Sequence, residues 1–244
     1  MYESKTINDI GISGKLDWSR IQHLFRLGLF ASALTLIGDM ILGWGIEDET
    51  LTGLLRMISA YTGTSDAGIF ASAMLGLFGI TVEGLCYFGI YRLMAERAPK
   101  IAHTYRAGIL GYVIFGGCGF HVPVCAIVFL LKHGIASELV MKCAFYFALP
   151  AYVLFWVFFV IMEFAQIKAF IKGLTPYPKW CWVFSLPVGM AFAMLVNIFG
   201  NQLWVNAISC AWIGVGNLWM FAGLLILMKK ADRNLSNKIA VLEK

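Results

Sequence analysis

Four side chains in this 244-residue chain are chemically expensive where they stand: Asp39 in LIGDMILGW, Glu83 in GITVEGLCY, His121 in GGCGFHVPVC and Glu163 in VIMEFAQIK. Each lies inside a long apolar run. A charge at the centre of a bilayer costs about 2.5–3.5 kcal/mol on insertion scales, so an ionisable group there calls for a reason. Buried acids beside a histidine can bind a hydrogen-bonding ligand, pass protons, or act as base and acid in catalysis. Counted along their runs, Asp39 lies toward one face, His121 near mid-depth, and Glu83 and Glu163 toward the other face. Each also has a structural reading. His121 can be a neutral imidazole bonded to a carbonyl or carboxylate. Glu83 can bridge helices in protonated form, Glu163 can reach the interface, and Asp39 can pair with Arg56.

The segment around His121 carries further signals. In a straight helix Cys118, His121 and Cys125 share one face. Pro123 cannot donate to the carbonyl of Gly119 and crowds it, so a kink is expected where His121 sits. Gly116 and Gly117 allow another helix to approach closely. These features suggest a polar pocket at mid-membrane. Cys118, His121 and Cys125 are soft ligands, but zinc wants four donors, and side chains two turns apart do not all reach one ion. No metal and no cofactor is expected. His23, His103 and His133 lie near span ends, so no in-span partner for a haem histidine is evident.

Amides add to the inventory. Asn201 and Asn206 belong to the turn between the last two spans and suit a capping role. Asn197 and Asn217, the latter followed by Trp219, are better placed as ligand-binding candidates, although an in-span Asn also serves to hold two helices together. No nucleophile elbow, zinc-protease motif or phosphate loop is present.

Composition identifies the elements that position these groups. The chain is 60% hydrophobic and 14% charged, against roughly 45–50% and 25% in soluble domains. The net charge of +5 does not indicate a nucleic-acid partner, because the charges fall in short clusters between apolar runs. The main partner is the lipid bilayer. An all-α bundle of six transmembrane helices is expected, spanning about 24–46, 67–91, 107–131, 143–168, 181–202 and 205–228. The chain reads as one domain, with tails at 1–20 and 229–244 and no internal repeat. The first run is too long for the apolar core of a signal peptide.

Lysine and arginine set the expected orientation. Sixteen of the nineteen fall on the side that holds both tails and the loops 92–106 and 168–180; only Arg56, Lys132 and Lys142 fall on the other. Both termini are therefore expected in the cytoplasm. Trp44 and Trp204 then mark outer ends, and Trp180 and Trp182 an inner end, as interfacial anchors. The corner TPYPKWCW, 175–182, is stiffened by Pro176 and Pro178.

The outer loop 45–68 contains Glu47, Asp48 and Glu49 followed by Leu51, Leu54, Leu55 and Ile58 at helical spacing. A short amphipathic helix over 50–61 is expected, with Thr50 as its cap and Arg56 in a candidate lid. Thr64 or Ser65 is expected to cap the second span. The six cysteines form no CxxC pair and read as small buried hydrophobes. A Cys143–Cys210 disulfide is left open.

GDMILGWGIEDETLTG (38–53), GFHVPV (119–124) and LTPYPKWCWVFSLPVG (174–189) resemble an uncharacterised bacterial six-span membrane family, a domain of unknown function. The resemblance covers nearly the whole chain. It implies a bacterial inner-membrane protein and no particular activity. A looser, fold-level analogy is to sterol isomerases of the emopamil-binding type, in which buried acids, a histidine and an Asn/Trp pair line a helical bundle. Glu83, His121, Glu163, Asn217 and Trp219 are comparable in type, but span count and spacing differ.

Three functions remain open from the residues. The favoured one is binding or transport of a small solute, a lipid or another amphiphile. The second is an intramembrane enzyme with Glu83 or Glu163 as base and His121 as acid. The third is a structural or sensory partner of another membrane protein. Homo-oligomerisation is left open.

Overall fold

In the computed structural model the backbone is described for residues 16–242 and the side chains for 16–235. Lys5, Lys15 and Lys244, counted above in the charge split, lie outside both ranges, and Lys238 lies outside the second. All regular structure among the described residues is helical. In chain order the α-helices are α1 (Trp18–Leu42), α2 (Gly53–Ser59), α3 (Asp66–Ala95), α4 (Pro99–Val113), α5 (Val122–Lys132), α6 (Ser137–Cys143), α7 (Leu149–Ile171), α8 (Leu186–Met194), α9 (Leu203–Cys210) and α10 (Trp212–Leu242). Two π-helical stretches join α4 to α5 (π1, Ile114–His121) and α6 to α7 (π2, Ala144–Ala148).

The helix ends follow local chemistry. Asp17 caps α1 by accepting from Arg20 N–H at 2.9 Å, and Ser65 caps α3 by accepting from Gly68 N–H at 3.1 Å. Gly173, at φ +66°, closes α7. Its N–H bonds to Phe170 O and that of Leu174 to Ala169 O, the paired bonds that a left-handed glycine makes possible.

Among the described residues, five helical stretches are long and apolar enough to cross a membrane: Trp18–Leu42, Asp66–Ala95, Pro99–Lys132, Ser137–Ile171 and Trp212–Leu235. They present apolar side chains outward. Phe30, Phe70, Phe78, Phe147, Phe164 and Ile226 are each more than 60% exposed, as a surface meeting acyl chains would be. The expected span at 181–202 is replaced by something different. A 3-10 turn (Lys179–Phe184) leads into α8, and a second 3-10 turn (Leu195–Phe199) follows it. The apolar helical part, Leu186–Phe199, is shorter than the roughly 20 residues a span needs. Ser185 and Pro187 set its start and Gly200, at φ +78°, its end. The expected span at 205–228 is also broken, at Ala211 between α9 and α10.

The first loop differs in detail from expectation. Its helix is the seven residues of α2, preceded by Thr52 rather than Thr50. Thr50 instead donates its hydroxyl and N–H to Asp48 Oδ1, which holds that carboxyl below its ordinary range. Asn201 and Asn206 tie this loop down. Glu47 N–H donates to Asn201 Oδ1 at 3.0 Å, Asn201 Nδ2 donates to Glu47 O at 2.9 Å, and Asn206 Nδ2 donates to Gly45 O at 2.8 Å. The turn at 200–202 therefore lies at the same end of the bundle as the 43–48 loop.

α1 packs along α3, α4 against α7, and α10 against both α1 and α8. The α1–α3 seam is made of small and polar residues. Ser32, Thr35 and Asp39 on α1 meet Ser72, Gly76, Gly79 and Glu83 on α3, at spacings that keep each set on one helical face. In lipid, helices gain nothing by hiding apolar surface from each other, so close backbone approach and hydrogen bonds hold such a seam.

Candidate functional site

The four ionisable residues found in the sequence all turn into the bundle. Glu83 is fully buried, Glu163 is 3% exposed, and Asp39 is 9% exposed. They fall into three groups, two at the α1–α3 seam and one on α7.

The first group joins Asp39 and His121. The imidazole Nδ1 lies 3.4 Å from Asp39 Oδ1, and both side chains are about seven-eighths buried. Nε2 lies 2.9 Å from the carbonyl of Ser72. That carbonyl can only accept, so Nε2 carries a hydrogen. On the other side of the ring Nδ1 is placed to donate to the carboxylate as imidazolium or to accept from the protonated carboxyl. The pairing corrects two expectations. Asp39 does not reach Arg56, which bonds instead to Glu47 at 2.9 Å with Glu49 at 4.0 Å. Asp39 and His121 are also not separated by depth.

Glycine makes room for the imidazole. A Cβ at Gly76 would lie 2.0 Å from His121 Nε2. Gly76→Ala is expected to displace the ring and lower stability by about 1–3 kcal/mol. A lower melting temperature of the detergent-purified protein would show this; an unchanged one would mean that the ring is free to move.

π1 decides which residues accompany His121. Val122 N–H bonds to Gly117 O, five residues back, so the turn before Pro123 is widened by one residue. The extra room relieves the clash that proline makes in a normal turn. It also breaks the expected common face: Cys118 is exposed, whereas Cys125 is buried with its Sγ 3.8 Å from Ser72 Oγ. Among the described residues no three His, Cys, Asp or Glu side chains converge as a metal centre requires. All six cysteines are free, Cys143 and Cys210 included.

The second group centres on Glu83. Its Oε2 accepts from Asn217 Nδ2 at 2.9 Å and from Tyr112 OH at 3.2 Å. Asn217 Nδ2 also lies 3.2 Å from the Tyr112 oxygen, and Asn217 Oδ1 accepts from Tyr87 OH. Three helices, α3, α4 and α10, thus meet at one carboxyl. Its second oxygen, Oε1, is buried with no hydrogen-bond partner. The Thr35 and Ser32 hydroxyls of α1 face the same carboxyl, while each bonds back to its own helix.

The third group lies around Glu163 on α7. Both of its carboxyl oxygens are buried without a hydrogen-bond partner, as is Ser185 Oγ nearby at the start of α8. The backbone of Leu186 faces the carboxyl. Tyr105 donates to Gln166 Oε1 at 3.1 Å, and Gln166 Nε2 lies 3.3 Å from Met220 Sδ.

Two candidates lie elsewhere. Asn197 is exposed and is held by Ser209 OH. Trp219 Nε1 donates to Val183 O at 2.8 Å, and its ring packs on Phe184 and Phe192. It latches α10 to the segment before α8. Two residues along a helix is about 200° of rotation, so Asn217 and Trp219 face different ways. The tyrosines were the residues that sequence reasoning missed. The signal was available, because a Tyr hydroxyl buried in a span must find a partner. An open groove of about 520 Å³ runs between α7 and α8, lined by Ile167, Ile171, Trp182, Val188 and Phe192 with Ser185 at its wall. It is apolar, unlike the mid-membrane polar pocket expected beside His121.

Comparison with family models supplies a match over residues 5–231, to the family described as Family of unknown function (DUF6796). The chain belongs to that family. The expected membership of a family of unknown function therefore holds, and the matched residues include Asp39, Glu83, His121, Glu163 and Asn217. No curated protein and no solved structure matches the chain. Membership of DUF6796 assigns no role to any of these residues.

Proposed function

We propose that this is a multi-pass membrane protein that binds or transports a small solute through the polar seam inside its bundle, at the cluster centred on Glu83. The observation that carries the reading is the buried Glu83 Oε1, which has no partner although three helices converge on the same carboxyl. A buried, unpaired oxygen costs about 1–3 kcal/mol or more. A bound hydrogen-bond donor would remove that cost.

In this reading both termini lie in the cytoplasm of a bacterial inner membrane, and the chain crosses six times. The lysine and arginine distribution supports the orientation. The bonds between Asn201 and Glu47 support a sixth crossing, with α8 and its flanking 3-10 turns as a short fifth. An intramembrane enzyme is less well supported. It needs His121 to share a cavity with Glu83 or Glu163, and their bonded partners differ.

A thermal-shift screen of the detergent-purified protein tests the solute site, using amino acids, monosaccharides, quaternary ammonium ions and monovalent cations. A ligand that stabilises the wild type and not Glu83→Gln is the expected result. Stabilisation that survives Glu83→Gln unchanged would place the site elsewhere.

A further inference from the structure

We infer that the groove between α7 and α8 is a second binding site, which takes a lipid with one acyl chain and an uncharged, hydroxyl-bearing head, of the monoacylglycerol kind. The site is separate from the Glu83 cluster, and the inference does not rest on the solute reading above.

The groove follows from where α8 packs. The 3-10 turn Lys179–Phe184 rests against α7, whereas α8 itself packs along α10. Beyond Ser185 the two helices stand apart, and an open space of about 520 Å³ is left between them. Ile167 and Ile171 of α7 form one wall, and Val188, Ala191 and Leu195 form the other. From Ser185 to Leu195 the rise is about 15 Å at about 1.5 Å per residue. That is half of a hydrocarbon core about 30 Å thick. The groove thus has the apolar lining and the length that one acyl chain occupies in one leaflet.

Its polar end is at Ser185. A serine at the N-cap of a helix ordinarily accepts from an N–H two or three residues on. Ser185 holds that position in α8, but Pro187 has no N–H to give and the hydroxyl makes no capping bond. The side chain is fully buried, its oxygen is unpaired, and it lines the groove. Glu163 lies one turn before Ile167 on the same face of α7. It is 3% exposed, and neither carboxyl oxygen has a partner. Leaving a buried polar group unpaired costs about 1–3 kcal/mol. A hydroxyl both donates and accepts, so a head with two hydroxyls satisfies Ser185 and Glu163 together.

Charge selects against ionised heads. A phosphate or carboxylate would be set beside the Glu163 carboxyl. An ammonium head would enter at the end of α7 that carries Lys168 and Lys172, where the Lys179 chain passes over Gly173. An uncharged head meets neither conflict.

Native mass spectrometry of the full chain released from detergent tests the inference. The probes are monooleoylglycerol, oleate and oleylamine, which share one chain and differ in the head. Monooleoylglycerol is expected to bind about 10-fold more tightly than the other two, the scale of one or two hydrogen bonds. Ser185→Ala is expected to weaken it by about 3- to 10-fold, the scale of one. Ala191→Phe, at an exposed position on the groove wall, is expected to abolish binding by filling the space, with the melting temperature unchanged. Equal binding of all three probes is what a non-selective lipid shell gives, and it overturns the inference. Monooleoylglycerol binding that is unchanged in both Ser185→Ala and Ala191→Phe overturns it as well.

Discussion

Replacing Asn217 with leucine is expected to cost about 2–4 kcal/mol of stability. Leucine keeps the branched shape and heavy-atom count of asparagine, so no cavity forms, and the loss reports the polar contacts together with the crowding of two methyl groups. Asn217 donates to Glu83 Oε2 and toward the Tyr112 oxygen, and it accepts from Tyr87. Interhelical hydrogen bonds in membranes average about 0.6 kcal/mol and reach about 1.7. Three of them on one fully buried side chain set the range, and stranding the Tyr87 hydroxyl and the Glu83 carboxyl takes it above the simple sum at the mean. Unfolding by graded denaturing detergent measures the change. Tyr112→Phe keeps the ring and removes one hydroxyl, so it should cost distinctly less. A loss for Asn217→Leu no larger than for Tyr112→Phe would show that Asn217 is not the hub of the cluster.

Asp39 and His121 should behave as a unit. Either one alone replaced by alanine is expected to cost about 3–5 kcal/mol, because the partner is left buried and uncompensated. The double replacement should cost less than the sum of the two by about 1–3 kcal/mol. The distinction matters because each residue also touches other groups, such as Ser72 O for His121. Additive losses would mean that those other contacts, and not the pair, account for the effect.

Much of this arrangement was readable before any coordinates. Lipid makes polar side chains conspicuous, and Asp39, Glu83, Glu163 and Asn217 do point inward. Their partners were harder to read. Depth counted along a run treats helices as vertical and level. Here Lys132, at the end of α5, donates to Thr64 O and pairs with Asp66 at the start of α3, which lies beyond the end of α1. That stagger, with the reach of an imidazole, brings His121 to Asp39. Hydropathy likewise marked 181–202 as a span without revealing its geometry. Pro187 delays the start of the regular helix and Gly200 closes it early, and apolar content alone does not report this. The Asn217–Trp219 pair looked like one site in a linear string, whereas helical rotation separates them.

The widened turn of π1 bears on how the chain tolerates change in length. It holds one residue more than an ordinary helix would over the same rise, and π2 does the same ahead of Pro150. Each surplus residue sets the phase of everything after it, by about 100° about the axis. A chain lacking one residue there would still read as an unbroken apolar stretch, with its hydropathy profile intact. Its imidazole, however, would be rotated out of line with the carboxyl on α1. In this protein the spelling of a span matters less than its count.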